Sequence, residues 1–136
     1  MIMRLICKNG KKSVNIGGSD IWKAVYSTTD ACVGKKRKKY PLAFGFFESG
    51  ICDGSKGYDV ARQINQIRDE LSQFSPEKAV YDIDNPKLAA LWKRKLSPVV
   101  TSCANMVTTS DGQDLLYEIV AILCYAKVAK TSVEIE

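Results

Sequence analysis

Residues 109–130, TSDGQDLLYEIVAILCYAKVAK, decide how the rest of the chain must be arranged. Ser110, Asp111 and Gly112 offer helix-start chemistry ahead of a long apolar run. Within that run Leu116, Ile119, Val120 and Leu123 form one stripe, and Leu115, Ile122 and Ala126 form a second. Together they make a wider apolar arc than a one-faced surface helix carries. Such a helix needs cover on more than one side, from a sheet and from another helix. The expected class is therefore α+β: a single domain over residues 1–136, with a mixed or antiparallel sheet of about five to six strands packed with about four helices.

Working outward from this helix, residues 131–136 alternate Val133 and Ile135 with Ser132, Glu134 and Glu136, as an edge strand with one wet face would. Upstream, the β-branched and small residues of 99–109 favour extended backbone, in one piece or as 99–100 and 104–107. Asn85-Pro86 starts a helix carrying Leu88, Leu91, Trp92 and Leu96, which Ser97-Pro98 stops. Residues 79–83 suit a short strand. The clearest amphipathic helix begins near Tyr58, with Val60, Ile64, Ile67, Leu71 and Phe74 every three or four residues, and ends at Ser75-Pro76. Residues 42–47 are aromatic and apolar enough for a central strand, and Gly50, Gly54 and Gly57 make 50–57 a flexible connection. At the start, residues 1–7 and 12–16 form a hairpin about Asn9-Gly10. After Gly17-Gly18, Ser19 caps a short helix over Ile21, Ala24 and Val25 that finishes by Thr28.

A length of 136 residues is enough to fold without staples, burying roughly 65–70% of the unfolded surface. The composition, 46% hydrophobic and 26% charged, is that of a globular domain and argues against disorder. Arg4 interrupts the apolar start and no small-residue cleavage pattern follows, so a signal peptide is not expected. No run reaches the length of a membrane span, and a cytoplasmic protein with no membrane partner is expected. Cys7, Cys32, Cys52, Cys103 and Cys124 are odd in number and lack metal-ligand spacing, so they read as structural thiols and no cofactor or metal is expected. The chain has no histidine, which removes the commonest general base and weakens hydrolase readings.

Charge is unevenly distributed. Residues 1–47 carry a net +8, residues 48–86 a net −4 and residues 87–136 a net +1, for a total of +5. Two opposed surfaces are expected if folding keeps these segments apart. The acidic middle offers Glu48, Asp53, Asp59, Asp69, Glu70, Asp82 and Asp84. These carboxylates suit a docking surface for a basic protein, where complementary charge speeds encounter and sets specificity. As catalytic carboxylates they would have to converge in a cleft, which spacing alone does not establish. The alternative site is the basic run Lys35, Lys36, Arg37, Lys38 and Lys39, an exposed loop beside Tyr40 suited to phosphates and hence to nucleic acid. Residues 50–57 lack the spacing of a phosphate-binding loop; they suit a mobile binding loop instead.

The sequence Thr108-Thr109-Ser110-Asp111-Gly112-Gln113-Asp114-Leu115, followed by Tyr125-Ala126-Lys127 and the terminal Val133-Glu134-Ile135, resembles small immunity proteins of bacterial polymorphic toxin and contact-dependent growth inhibition systems. The resemblance implies a non-enzymatic protein that forms a one-to-one complex with a cognate toxin domain, in many cases a nuclease, and blocks it in the cytoplasm. It assigns no toxin contact to the quoted residues themselves, which read as helix capping and packing. Immunity proteins against nucleases are often acidic, whereas this chain is net basic. An acidic toxin surface would meet Lys35 to Lys39 instead.

Overall fold

A computed structural model describes residues 3–79, 100–105, 107 and 113–136. The expected strand at 79–83, helix from Asn85 and helix-start residues 110–112 lie wholly or mostly outside these. Among the described residues the architecture is α+β, with four α-helices and a four-stranded antiparallel sheet. The strands are β1 (Met3–Cys7), β2 (Ser13–Gly17), β3 (Ile51–Cys52) and β4 (Val133–Ile135), in the order β2-β1-β4-β3.

The hairpin forms as expected. Gly10 takes the left-handed conformation at φ 73°, its N–H donates to Cys7 O (2.8 Å), and Asn9 Oδ1 accepts from the Lys11 N–H (2.9 Å). Strand alternation buries Leu5, Cys7, Val14 and Ile16 on one face and leaves Arg4, Ser13 and Asn15 on the other. β4, expected at an edge, lies instead between β1 and β3, with Ile6 opposite Glu134 and Ile51 opposite Glu134 on the other side. Its alternation comes from the sheet having one solvent face, a property that internal antiparallel strands share with edge strands.

Helix α1 (Ser19–Val33) runs past Thr28, because Ser27, Thr28 and Thr29 are buried rather than turn-forming, and the Thr29 hydroxyl donates to Val25 O (2.7 Å). Gly18, not Ser19, is its N-cap. Residues 42–47, expected as a strand, belong instead to helix α2 (Pro41–Ser49). Pro41 occupies the first helical turn and Gly50, at φ 70°, closes the helix in the left-handed conformation. Ala43, Phe44, Phe46 and Phe47 are buried from it. The Trp22 indole donates to Phe47 O (3.0 Å) and meets Phe46 and Phe47 edge-on, locking α1 to α2.

Helix α3 (Gly57–Leu71) has the amphipathic face read from its spacing, with Val60, Ile64, Ile67 and Leu71 buried. Helix α4 (Leu115–Ala129) is the organising helix, started by Asp114, whose side chain accepts from the Tyr117 N–H (3.3 Å). Lys130 ends it at φ 56°. One side of α4 lies on α3 and another meets β1, β2 and β4, the two-sided cover its apolar arc requires. Each fully buried Leu or Ile along this seam contributes about 1.5–3 kcal/mol of transfer free energy. Residues 50–57 comprise β3, the short 3-10 turn Gly54–Lys56 and the start of α3, packed closely on α4 and Thr131. A Cβ on Gly57 would fall 2.3 Å from Leu123 O, and one on Gly54 would fall 2.1 Å from Thr131 O, so backbone rests directly on backbone. The extended reading of 99–109 also fails where it can be seen, since Asn105 N–H turns back to Ser102 O (3.4 Å).

Candidate functional site

The basic run is built into the fold. Residues Gly34–Lys39 form a 3-10 segment rather than an irregular loop, held between the end of α1, α2 and the last turn of α3. Arg37 is its anchor. Its guanidinium donates to the Tyr26 hydroxyl (3.2 Å) and the Glu48 carboxylate, lies 3.5 Å from Asp30 Oδ1, and sits over the Phe44 ring at 4.7 Å from the centroid. A planar fork with five donors can make these contacts together; a lysine cannot. The hydrogen bonds to Tyr26 and then Glu48 raise the guanidinium pKa further above its already high value.

Lys36 makes the second attachment, donating to Oε1 of Glu70 on α3, while the buried Tyr40 donates its hydroxyl to Oε2 of the same carboxylate. The two donors, Lys36 first, hold the Glu70 carboxyl below the usual carboxylate range. In return, acceptance by Glu70, reinforced by burial, pushes the Tyr40 phenol up to about 12. The expected separation into opposed basic and acidic surfaces therefore does not hold here: Lys36 and Arg37 are paired with two of the acidic residues proposed as a separate site. Lys35 and Lys38 are exposed and have no ion pair among the described residues, and Lys39 extends over the Tyr40 ring (5.8 Å).

Among the described residues, the acidic candidates are engaged in separate local contacts. Glu48 and Glu70 belong to the latch around Gly34–Lys39. Asp53 caps the short turn Gly54–Lys56, accepting from the Ser55 N–H and hydroxyl (2.8 Å each), bonds that keep its carboxyl below the ordinary value. Asp59, in the first turn of α3, pairs with Arg62 (3.0 Å). Asp69 is exposed and has no ion pair among the described residues. Asp82 and Asp84 lie outside the described residues. Sequence reasoning missed Tyr26, Asp30 and Phe44, which complete the Arg37 cradle; four-residue spacing between Tyr26 and Asp30 on α1 was the signal available.

Two surface depressions stand out. One, of about 620 Å³, lies beside the 3-10 segment between Lys35, Lys38, Pro41, Phe44 and Glu48. The other, of about 520 Å³, lies between Asp53, Ser55, Lys127 and Lys130. Lys127 there donates to Ser55 O (3.2 Å), tying the end of α4 to the glycine-rich turn. No described group of three or more acidic or thiol side chains is arranged to hold a metal ion. The five cysteines are free; burial and the adjacent Asp53 push the Cys52 thiol up to about 11, which suppresses its nucleophilic form. No helix among the described residues is long and apolar enough to cross a membrane.

The fold and its surface define a small α+β domain whose exposed features are charged grooves of binding size. The chain belongs to the immunity protein 70 family, whose model matches residues 7–135. Membership makes it a toxin-neutralising immunity protein, an inhibitor whose partner is a cognate toxin. Neither curated proteins nor solved structures provide a match.

Proposed function

We propose that the chain neutralises its cognate toxin by binding the toxin domain directly, as a non-enzymatic, one-to-one partner in the cytoplasm. The observation that supports this reading is family membership over residues 7–135. The toxin is proposed to be a nuclease of a contact-dependent growth inhibition system, because a nuclease presents basic substrate-binding surface that carboxylates complement. In this reading Asp53, Asp59 and Asp69, with Asp82 and Asp84 of the same segment, face the toxin. Glu48 and Glu70 hold the 3-10 segment in place instead.

Co-expression with the open reading frame immediately upstream tests the proposal. The expected result is a stoichiometric complex on a sizing column and relief of growth arrest by the toxin. Separate elution of the two proteins with no relief would discard direct neutralisation. Charge reversal at Asp59 and Asp69 tests the acidic contact, with about a tenfold loss of affinity expected.

A further inference from the structure

We infer that the groove beside the 3-10 segment is a toxin-docking surface, and that it receives an acidic segment of the toxin. This inference rests on the direct-binding reading and adds the chemistry of the contact. Its basis is a division of labour within one run of five cations. Arg37 and Lys36 are paired with Glu48 and Glu70 and tie the segment to α2 and α3. The buried Tyr40 and the helical Pro41 fix its junction with α2. Lys35 and Lys38 are left exposed without an ion pair among the described residues, on a segment whose conformation is already set. Two flexible side chains on a fixed backbone are presented at constant spacing, so a partner carboxylate need not order the segment as it binds.

The groove also takes in Arg37, whose guanidinium covers the Phe44 ring. Pro41 and the buried Phe44 lie beneath it. Glu48 closes the far rim. An acidic protein segment suits this groove better than a nucleic-acid strand: the family's partner is a protein toxin, and a phosphate track crossing the groove would run onto the Glu48 carboxylate, whereas a peptide can place a single carboxylate at Lys35 and Lys38. Asp69 neighbours Glu70, so the proposed acidic contact on α3 and this basic groove adjoin at the Lys36–Glu70 pair. An interface with both signs of charge side by side favours one register and penalises a partner with the opposite pattern.

The test is the affinity of the full chain for the upstream-encoded toxin domain, inactivated by mutation, measured by calorimetry at low and physiological salt. The K35E/K38E variant should bind at least about tenfold more weakly, with a shallower salt dependence, while K8E/K11E on the hairpin stays within about twofold of the unaltered chain. All four lysines lie on the surface, and circular dichroism verifies that both variants fold. An unaltered complex that K35E/K38E leaves within twofold overturns the groove assignment alone. Absence of any complex with the unaltered chain overturns direct binding and the groove with it. If K35E/K38E keeps its toxin affinity but loses binding to a short single-stranded RNA or duplex DNA, the groove is a nucleic-acid surface and the inference is overturned.

Discussion

The seam between α3 and α4 and the latch around Gly34–Lys39 hold the same domain together by opposite means. At the seam, Gly54 and Gly57 let backbone meet backbone among fully buried Leu and Ile side chains, and nothing can be added. At the latch, partly exposed side chains reach across solvent-accessible space and carry charge; Arg37 and Glu48 are 40% and 50% exposed. Packing of the first kind fixes the fold with little tolerance for change. Contacts of the second kind contribute less stability each, but they leave part of the surface chemically variable.

The comparison is broken most severely at the seam. Gly57→Ala keeps an allowed helical backbone but drives a methyl into Leu123 O and C, so it should lower the unfolding free energy by about 2–3 kcal/mol, read as a reduced urea midpoint. Gly54→Ala should cost at least as much, because Thr131 O, Thr131 C and Ala126 O all lie within 3.0 Å of the added carbon. Arg37→Ala removes the anchor of the latch and should cost about 1 kcal/mol, and Arg37→Lys should recover little of it, since the fork rather than the charge makes the contacts. Equal losses at Gly57 and Arg37 would erase the distinction drawn between the two regions.

Glu70→Gln sharpens it further. The folded pKa of Glu70 lies below its ordinary 4.5, so its stabilisation is complete above that pH and is lost as pH falls through the depressed folded value. Tyr40 behaves in the opposite sense. Its folded pKa is about 12 against an ordinary 10.0, so the contribution is complete below pH 10 and lost as pH rises through 12. In Glu70→Gln both dependences should flatten, and the late-titrating tyrosine should move toward 10 in an ultraviolet titration. A Tyr40 titration unmoved by the substitution would separate the phenol from the carboxylate. The smallest effect is expected at Arg62→Ala, where loss of the exposed pair with Asp59 should change stability by no more than about 0.5 kcal/mol.

What the sequence revealed of this contrast depended on distance along the chain. Local patterns were legible: Asn9-Gly10 specified the hairpin, the three-and-four spacing of Val60, Ile64, Ile67 and Leu71 specified α3, and the broad apolar arc around Leu116 and Ile122 required the two-sided burial of α4. The run 42–47 misled because a short aromatic stretch has no decisive period, and its true boundary signals were Pro41 before it and Gly50 after it. β4 was misplaced at an edge because an internal strand of a one-faced sheet alternates in the same way. The latch was least legible. Lys36 meets Glu70 and Arg37 meets Glu48 across intervening elements, and no local pattern announces which opposite charges folding will bring together. The two charged segments could be recognised, but their mutual neutralisation depended on how α1, α2 and α3 pack.

The placement of β4 makes closure of the sheet depend on residues far from β1 along the chain. Val133–Ile135 inserts between β1, made of Met3–Cys7, and the two-residue β3, so the sheet has a gap at its centre until these residues have been synthesised. Arg4 and Glu136 then zip together through paired backbone bonds of 3.2 and 2.8 Å. Without residues 133–136 the sheet is not continuous, and contacts of such long sequence separation form late in folding.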